Sequence, residues 1–124
     1  MPRSGRHLRS QSYGVEAETI AAWWLRLKGY TVLARRFRAS GAEIDMIARR
    51  GKMLIFVEVK ARPDLGDALA AVSAQKARQI SRAARAWLSL HPAADGVSFR
   101  LDAVILSRAW LPKHVEAVHP LEVG

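Results

Sequence analysis

Residues 41–62, GAEIDMIARRGKMLIFVEVKAR, decide how this chain folds. Two short apolar runs, Ile44–Ala48 and Met53–Val59, flank a basic segment that contains Gly51. Short runs rich in Ile, Val and Phe, broken by a glycine turn signal, predict the two antiparallel strands of a hairpin. The hairpin also carries Glu43, Asp45, Glu58 and Lys60. Charged residues are depleted from strands and costly to bury, so four of them in an otherwise apolar hairpin call for a reason.

Strand geometry groups them. Side chains alternate faces, so Leu54, Phe56, Glu58 and Lys60 share one face and Ile55, Val57 and Val59 the other. A turn at Arg50-Gly51 places Asp45 diagonal to Glu58; a turn at Gly51-Lys52 places it directly opposite. Either register puts Asp45, Glu58 and Lys60 together, with the carboxylates roughly 5–8 Å apart at Cβ. An odd-residue loop would separate them. Two carboxylates about 5 Å apart repel by roughly 3 kcal/mol at an effective dielectric of about 20, which a positive charge between them relieves. Lys60 is one such charge, and a hard divalent cation is a better one. Two carboxylates with waters and a substrate phosphate are the usual way Mg²⁺ is held. A lysine two residues from the metal-binding Glu can then stabilise an attacking hydroxide or the charge developing on a phosphate.

GAEID, followed about a dozen residues later by FVEVKAR, resembles the pattern of the PD-(D/E)XK nuclease superfamily. More narrowly, the chain resembles the small YraN-like family, related in fold to archaeal Holliday-junction resolvases. The likeness also takes in GVEAETIAAWWLRLKGY, the later helix with Gln75 and Lys76, and FRLDAVIL. Family members commonly read GEIDLI where this chain has GAEIDMI, and carry Asn where it has Arg36. The resemblance implies an α/β fold, a single restriction-endonuclease-like domain with a mixed central β-sheet flanked by helices. It implies that Glu18, on the first helix, lies near the metal and that Gln75 or Lys76 borders the site, with Lys76 preferred.

Composition fits that picture. At 124 residues the chain makes one domain, and half its residues are hydrophobic, enough for a core. A net charge of +9 points to a polyanion, nucleic acid before acidic membrane. The absence of cysteine excludes disulfides and zinc–thiolate sites, and the four histidines have no zinc-site spacing. No apolar run approaches a membrane span, and Met1–Ser12 lacks the apolar centre of a secretory signal, so a cytoplasmic protein is expected.

Along the chain, residues 1–12 read as a flexible basic arm and residues 13–124 as the domain. A helix is expected from Tyr13 to Lys28, closed by Gly29, with Ala17, Ile20, Ala21, Trp23, Trp24, Leu25 and Leu27 on one broad apolar arc. A strand over Tyr30–Leu33 leads into a basic loop whose Arg35, Arg36 and Arg38, at the lip of the acidic hairpin, suit phosphate contact. One long helix is expected from Gly66 to about Leu90. Lys76 falls on its apolar line between Val72 and Ile80, an odd place unless it reaches over the sheet, while Arg78, Arg82 and Arg85 form a separate exposed stripe. Val97–Leu106 and Val115–Val118 read as strands, and Asp102 as a hydrogen-bonding strand residue rather than a ligand. Trp110 and Leu111 suit either the core or a homodimer contact, and the residues alone do not choose.

The reading that follows is a Mg²⁺- or Mn²⁺-dependent endonuclease hydrolysing DNA phosphodiester bonds, with branched DNA as the structure-specific case. Asp45 and Glu58 hold the metal, Lys60 stabilises the nucleophile or transition state, Glu18 assists, and Arg35, Arg36, Arg38 and Lys76 contact nucleic acid. The alternative is a nucleic-acid-binding accessory protein that keeps the fold with little or no cleavage. A third reading, a basic structural protein with a salt-bridge network around Lys60, gives no reason for buried acids.

Overall fold

A computed structural model of the chain describes residues 16–123. The basic arm expected over 1–12 therefore lies outside the described residues, as does the start of the helix expected from Tyr13. Helix α1 covers 16–27 and ends where Gly29 takes a φ of 93°. There the Gly29 N–H donates to the Arg26 carbonyl and the Tyr30 N–H to the Leu25 carbonyl, each at 3.0 Å, the double bond of a Schellman close.

Five strands follow: β1 (Thr31–Ala39), β2 (Ala42–Arg50), β3 (Met53–Ala61), β4 (Ser98–Ser107) and β5 (Trp110–His119). They form one mixed sheet in the order β1-β2-β3-β4-β5, in which only β3 and β4 run parallel. That parallel step needs a crossover, which α2 (Leu65–Ala71) and α3 (Ala74–Leu90) supply. The result is the expected α/β fold, a single endonuclease-like domain.

The sheet is covered on both faces. Ala17, Ala21, Ala22 and Leu25 of α1 pack on Met46, Ala48, Ile55, Val57 and Val104. Ala77, Ile80, Ala84 and Trp87 of α3 pack on Ile44, Ile47, Leu54, Phe56 and Leu101. The small alanines bring α1 close to the sheet along one narrow stripe. Ile20, Trp23 and Leu27, expected on the buried arc, therefore face solvent, exposed by 50%, 60% and 79%.

Three expected boundaries move. The single helix expected over 66–90 is two, because Ser73 is extended (φ −76°, ψ 169°) and its hydroxyl accepts the Lys76 N–H, starting a new helix. The basic loop expected after Leu33 is strand: β1 runs to Ala39 and turns at Ser40-Gly41, with φ of 53° and 74°, so Arg35, Arg36 and Arg38 belong to the sheet. The last strand starts at Trp110 rather than Val115. Trp110 packs against the α2-side cluster of Ala68, Val72, Ala103 and Ile105, whereas Leu111 is exposed. Pro112 is tolerated because β5 is an edge strand.

Candidate active site

The site forms where β2 parts from β3. Arg50 pairs with Met53, so Gly51-Lys52 is the turn, the register that sets Asp45 opposite Glu58. The β2–β3 ladder ends at Met46 and Val57, one step short of that pair, while β3 runs on beside β4 to Ala61. A strand that loses its neighbour leaves backbone donors without partners. Asp45 supplies one: its Oδ2 accepts the Val59 N–H at 2.8 Å. The carboxylate thus reaches across the fork to β3.

A change in side-chain alternation opens the fork. Ile44 and Ile47 are three residues apart yet both belong to the α3-side core, as do Ala34 and Phe37 on β1. The pairs Arg35–Met46 and Phe37–Ile44 bracket Arg36 and Asp45, and Arg36 has a φ of 54°. A left-handed residue inside a strand breaks the twofold alternation, and here both strands shift at the same level.

Glu58 projects to the α3 side and is only 3% exposed. The Lys60 ammonium lies 3.3 Å from its Oε1, and that of Lys76 lies 4.0 Å from its Oε2. The second distance is too long for a hydrogen bond, and Oε2 is buried with no hydrogen-bond partner. An orphaned carboxylate oxygen costs on the order of 1–3 kcal/mol or more, and a cation, a water or a proton shared with Asp45 would each supply its partner. Asp45 feels the same crowding. Burial first, and the charge of Glu58 second, push its carboxyl up from 3.8 to about 7, against the lowering effect of the Val59 N–H.

These features fit a hard divalent cation. Two carboxylates converge with one uncommitted buried oxygen, the sparse ligation by which Mg²⁺ keeps most of its waters. Among the described residues no group of three or more His, Cys, Asp or Glu side chains comes together to hold a metal, so a zinc-type cage is not what this site offers.

Glu18 pairs with arginine. Its Oε1 accepts from Arg36 Nε at 2.8 Å and lies 3.8 Å from Arg35 NH2. Arg38 pairs with Glu43 at 3.6 Å. Asp45, Glu58, Lys60 and Lys76 are therefore brought together, and Glu18, Arg35, Arg36 and Arg38 form a second group beside them on β1 and α1. Gln75, the other candidate on α3, is exposed.

Asp102 is the hydrogen-bonding strand residue expected, but the sequence reading missed the buried cluster around it. Asp102 is fully buried and accepts from Arg100 Nε at 2.6 Å and NH2 at 2.7 Å, from the Ala117 N–H at 3.1 Å, and bonds His114 Nε2 at 2.6 Å. Burial alone would raise its carboxyl, but the bonds from His114, Arg100 and Ala117 outweigh that and hold it below the usual range. The cluster pins the β5 bulge at Ala117, whose φ is 50°, and so has a structural role. No motif spacing announces it, because sheet pairing alone brings residues 100, 102 and 114 together.

The profile of the Uncharacterised protein family UPF0102 matches residues 17–106, most of the chain. A UPF0102 protein of Methylobacterium nodulans is 47% identical over 121 residues, covering 98% of this chain and 94% of its own length. This chain belongs to the UPF0102 family. Further UPF0102 proteins, from Methylorubrum extorquens and Methylocella silvestris, are 47% and 49% identical over 117 and 111 residues, spanning 94% and 90% of this chain and 91% and 90% of their own. UPF0102 is the YraN-like, PD-(D/E)XK nuclease-like group that the hairpin resembled. Its match spans Glu18, the fork and Lys76, and stops before His114.

Proposed function

We propose that this UPF0102 protein is a divalent-metal-dependent endonuclease of nucleic acid, with DNA as the substrate. The observation that carries the reading is the buried, unpartnered Oε2 of Glu58 beside Asp45 in a fork that Lys60 and Lys76 overlook. Asp45 and Glu58 would hold Mg²⁺ or Mn²⁺, which supplies Lewis-acid activation of the phosphate and an acidic bound water. Lys60, anchored to Glu58, places an ammonium where negative charge develops. Arg35, Arg36 and Arg38 on one side, and Lys76 on the other, offer cations to the strand's phosphates. This function belongs in the cytoplasm, where the nucleic acid is; among the described residues no helix is long and apolar enough to cross a membrane.

A second reading, an accessory protein that binds nucleic acid without cutting it, draws on the same lysines. Both lie near Glu58, so part of the acid's charge is compensated without a metal. Incubation with linear, flapped and four-way DNA in Mg²⁺ and in Mn²⁺ separates the two. The endonuclease reading expects metal-dependent internal cuts, greatest on branched DNA. Lys60→Ala should bind DNA about as well but cleave roughly 100-fold more slowly, since a contact made in the transition state affects rate. Tight binding with no cleavage of any substrate would transfer the case to the accessory protein.

A further inference from the structure

Resting on the nuclease reading, we propose that Glu18 serves the site as the positioning residue of Arg36, and that Arg36 clamps the phosphodiester that a metal at Asp45 and Glu58 would hold.

The backbone is the first observation. Arg36 is a non-glycine residue in the left-handed region, with a φ of 54°, in the middle of a strand. Such conformations persist where the surroundings over-determine them, and they gather at ligand clamps. Here the conformation takes Arg36 out of the alternation that carries Ala34 and Phe37 into the core. The pairs on either side set the residue level with Asp45.

The side chain is the second. Glu18 accepts from Nε at 2.8 Å, and no hydrogen bond to a described residue uses the two terminal nitrogens of Arg36. Guanidinium reads phosphate with two parallel N–H donors, so a grip on Nε leaves one edge of the fork for the ligand. Exposure is divided accordingly: the Glu18 side chain is 13% accessible and that of Arg36 48%. Arg35 supports the grip, since its NH2 lies 3.8 Å from Glu18 and donates to Thr19 Oγ1 at 3.3 Å. Glu18 is thus committed to arginine, and it joins no group of three acids suited to a metal among the described residues. Lysine at position 36 would have no Nε to hold and no fork to present.

The test uses Glu18→Ala, Glu18→Gln, Arg36→Ala and the double variant Glu18→Ala/Arg36→Ala, each checked for a native circular-dichroism melt. Mn²⁺ affinity is measured without DNA, and kcat/KM on DNA in Mg²⁺. The expected result is Mn²⁺ affinity within about twofold of wild type throughout. Loss of the aligned guanidinium lowers kcat/KM by roughly 100-fold or more in Arg36→Ala, and the double variant should be no worse. Glu18→Ala should approach that loss, while Glu18→Gln, which keeps an acceptor oxygen for Nε, should recover most of it. Loss of Mn²⁺ affinity in both Glu18 variants would make Glu18 a ligand and overturn the proposal, as would losses that multiply in the double variant. Wild type that neither binds Mn²⁺ nor cuts DNA would overturn the nuclease reading itself, a result the variants play no part in.

Discussion

At the scale of single residues, Asp45 sets the response of the site to pH. Its carboxyl titrates near 3.8 unfolded and at about 7 in the fold, because it is buried and faces Glu58. Between those values the folded chain holds the extra proton, so the stability this group contributes is fully present below about pH 4 and is lost as pH rises to about 7, then levels off. A tenfold change in a protonation equilibrium corresponds to about 1.4 kcal/mol, so the metal-free protein carries a destabilisation on the order of a few kcal/mol at neutral pH. Asp45→Asn keeps an acceptor for the Val59 N–H and removes the charge. It should flatten the fall in melting temperature between about pH 5 and 8 and raise the value at the alkaline end by several degrees, read by circular dichroism. An unchanged pH profile would mean that Asp45 is not the group strained by Glu58. The acids themselves were legible, since charges in an apolar hairpin are conspicuous. What Asp45 does with its oxygen was not, because that depends on where β2 leaves β3, a tertiary event without local signature.

Among the elements, the hairpin was read closely and its neighbours less so. Gly51 takes a φ of 60° and fixes the two-residue turn, and with it the register that faces Asp45 to Glu58. Arginines look like loop in a local reading, yet β1 accommodates three of them because it is an edge strand with β2 alone beside it. The break between α2 and α3 was hidden by an apolar line that runs through it, although Ser73 is a good capping residue. The cap has a consequence for the site, since it secures the turn that presents Lys76 toward Glu58. Ser73→Ala should cost about 1 kcal/mol of stability, roughly 4 °C in melting temperature, and weaken DNA binding modestly. A chemical-denaturation curve superimposable on that of wild type would show that the helix start is held by packing alone.

For the molecule as a whole, topology gathers charge at one edge of the sheet. The carboxyl ends of β1, β3 and β4 and the amino end of β2 meet there, and the ends of parallel strands are where α/β folds place ligands. Arg36 and Arg38, then Asp45 and Glu58, then Lys60 and Arg62, with Arg108 beyond, follow one another across that edge. An open cavity of about 420 Å³ bounded by Arg62, Pro63, Ser107 and Arg108 continues the basic rim past β3. A net charge of +9 and two lysines beside Glu58 suit the proposed site, where a polyanion would meet a metal. The proposed chemistry rests on Asp45 and Glu58 as ligands, and calorimetric titration of the metal-free protein with Mn²⁺ at about pH 8, above the Asp45 titration, tests them most directly. The expected result is a single bound ion per chain for wild type and loss of that binding in both Asp45→Asn and Glu58→Gln, with each variant still folded. Unchanged Mn²⁺ affinity in the two folded variants, or no binding by wild type, would contradict it.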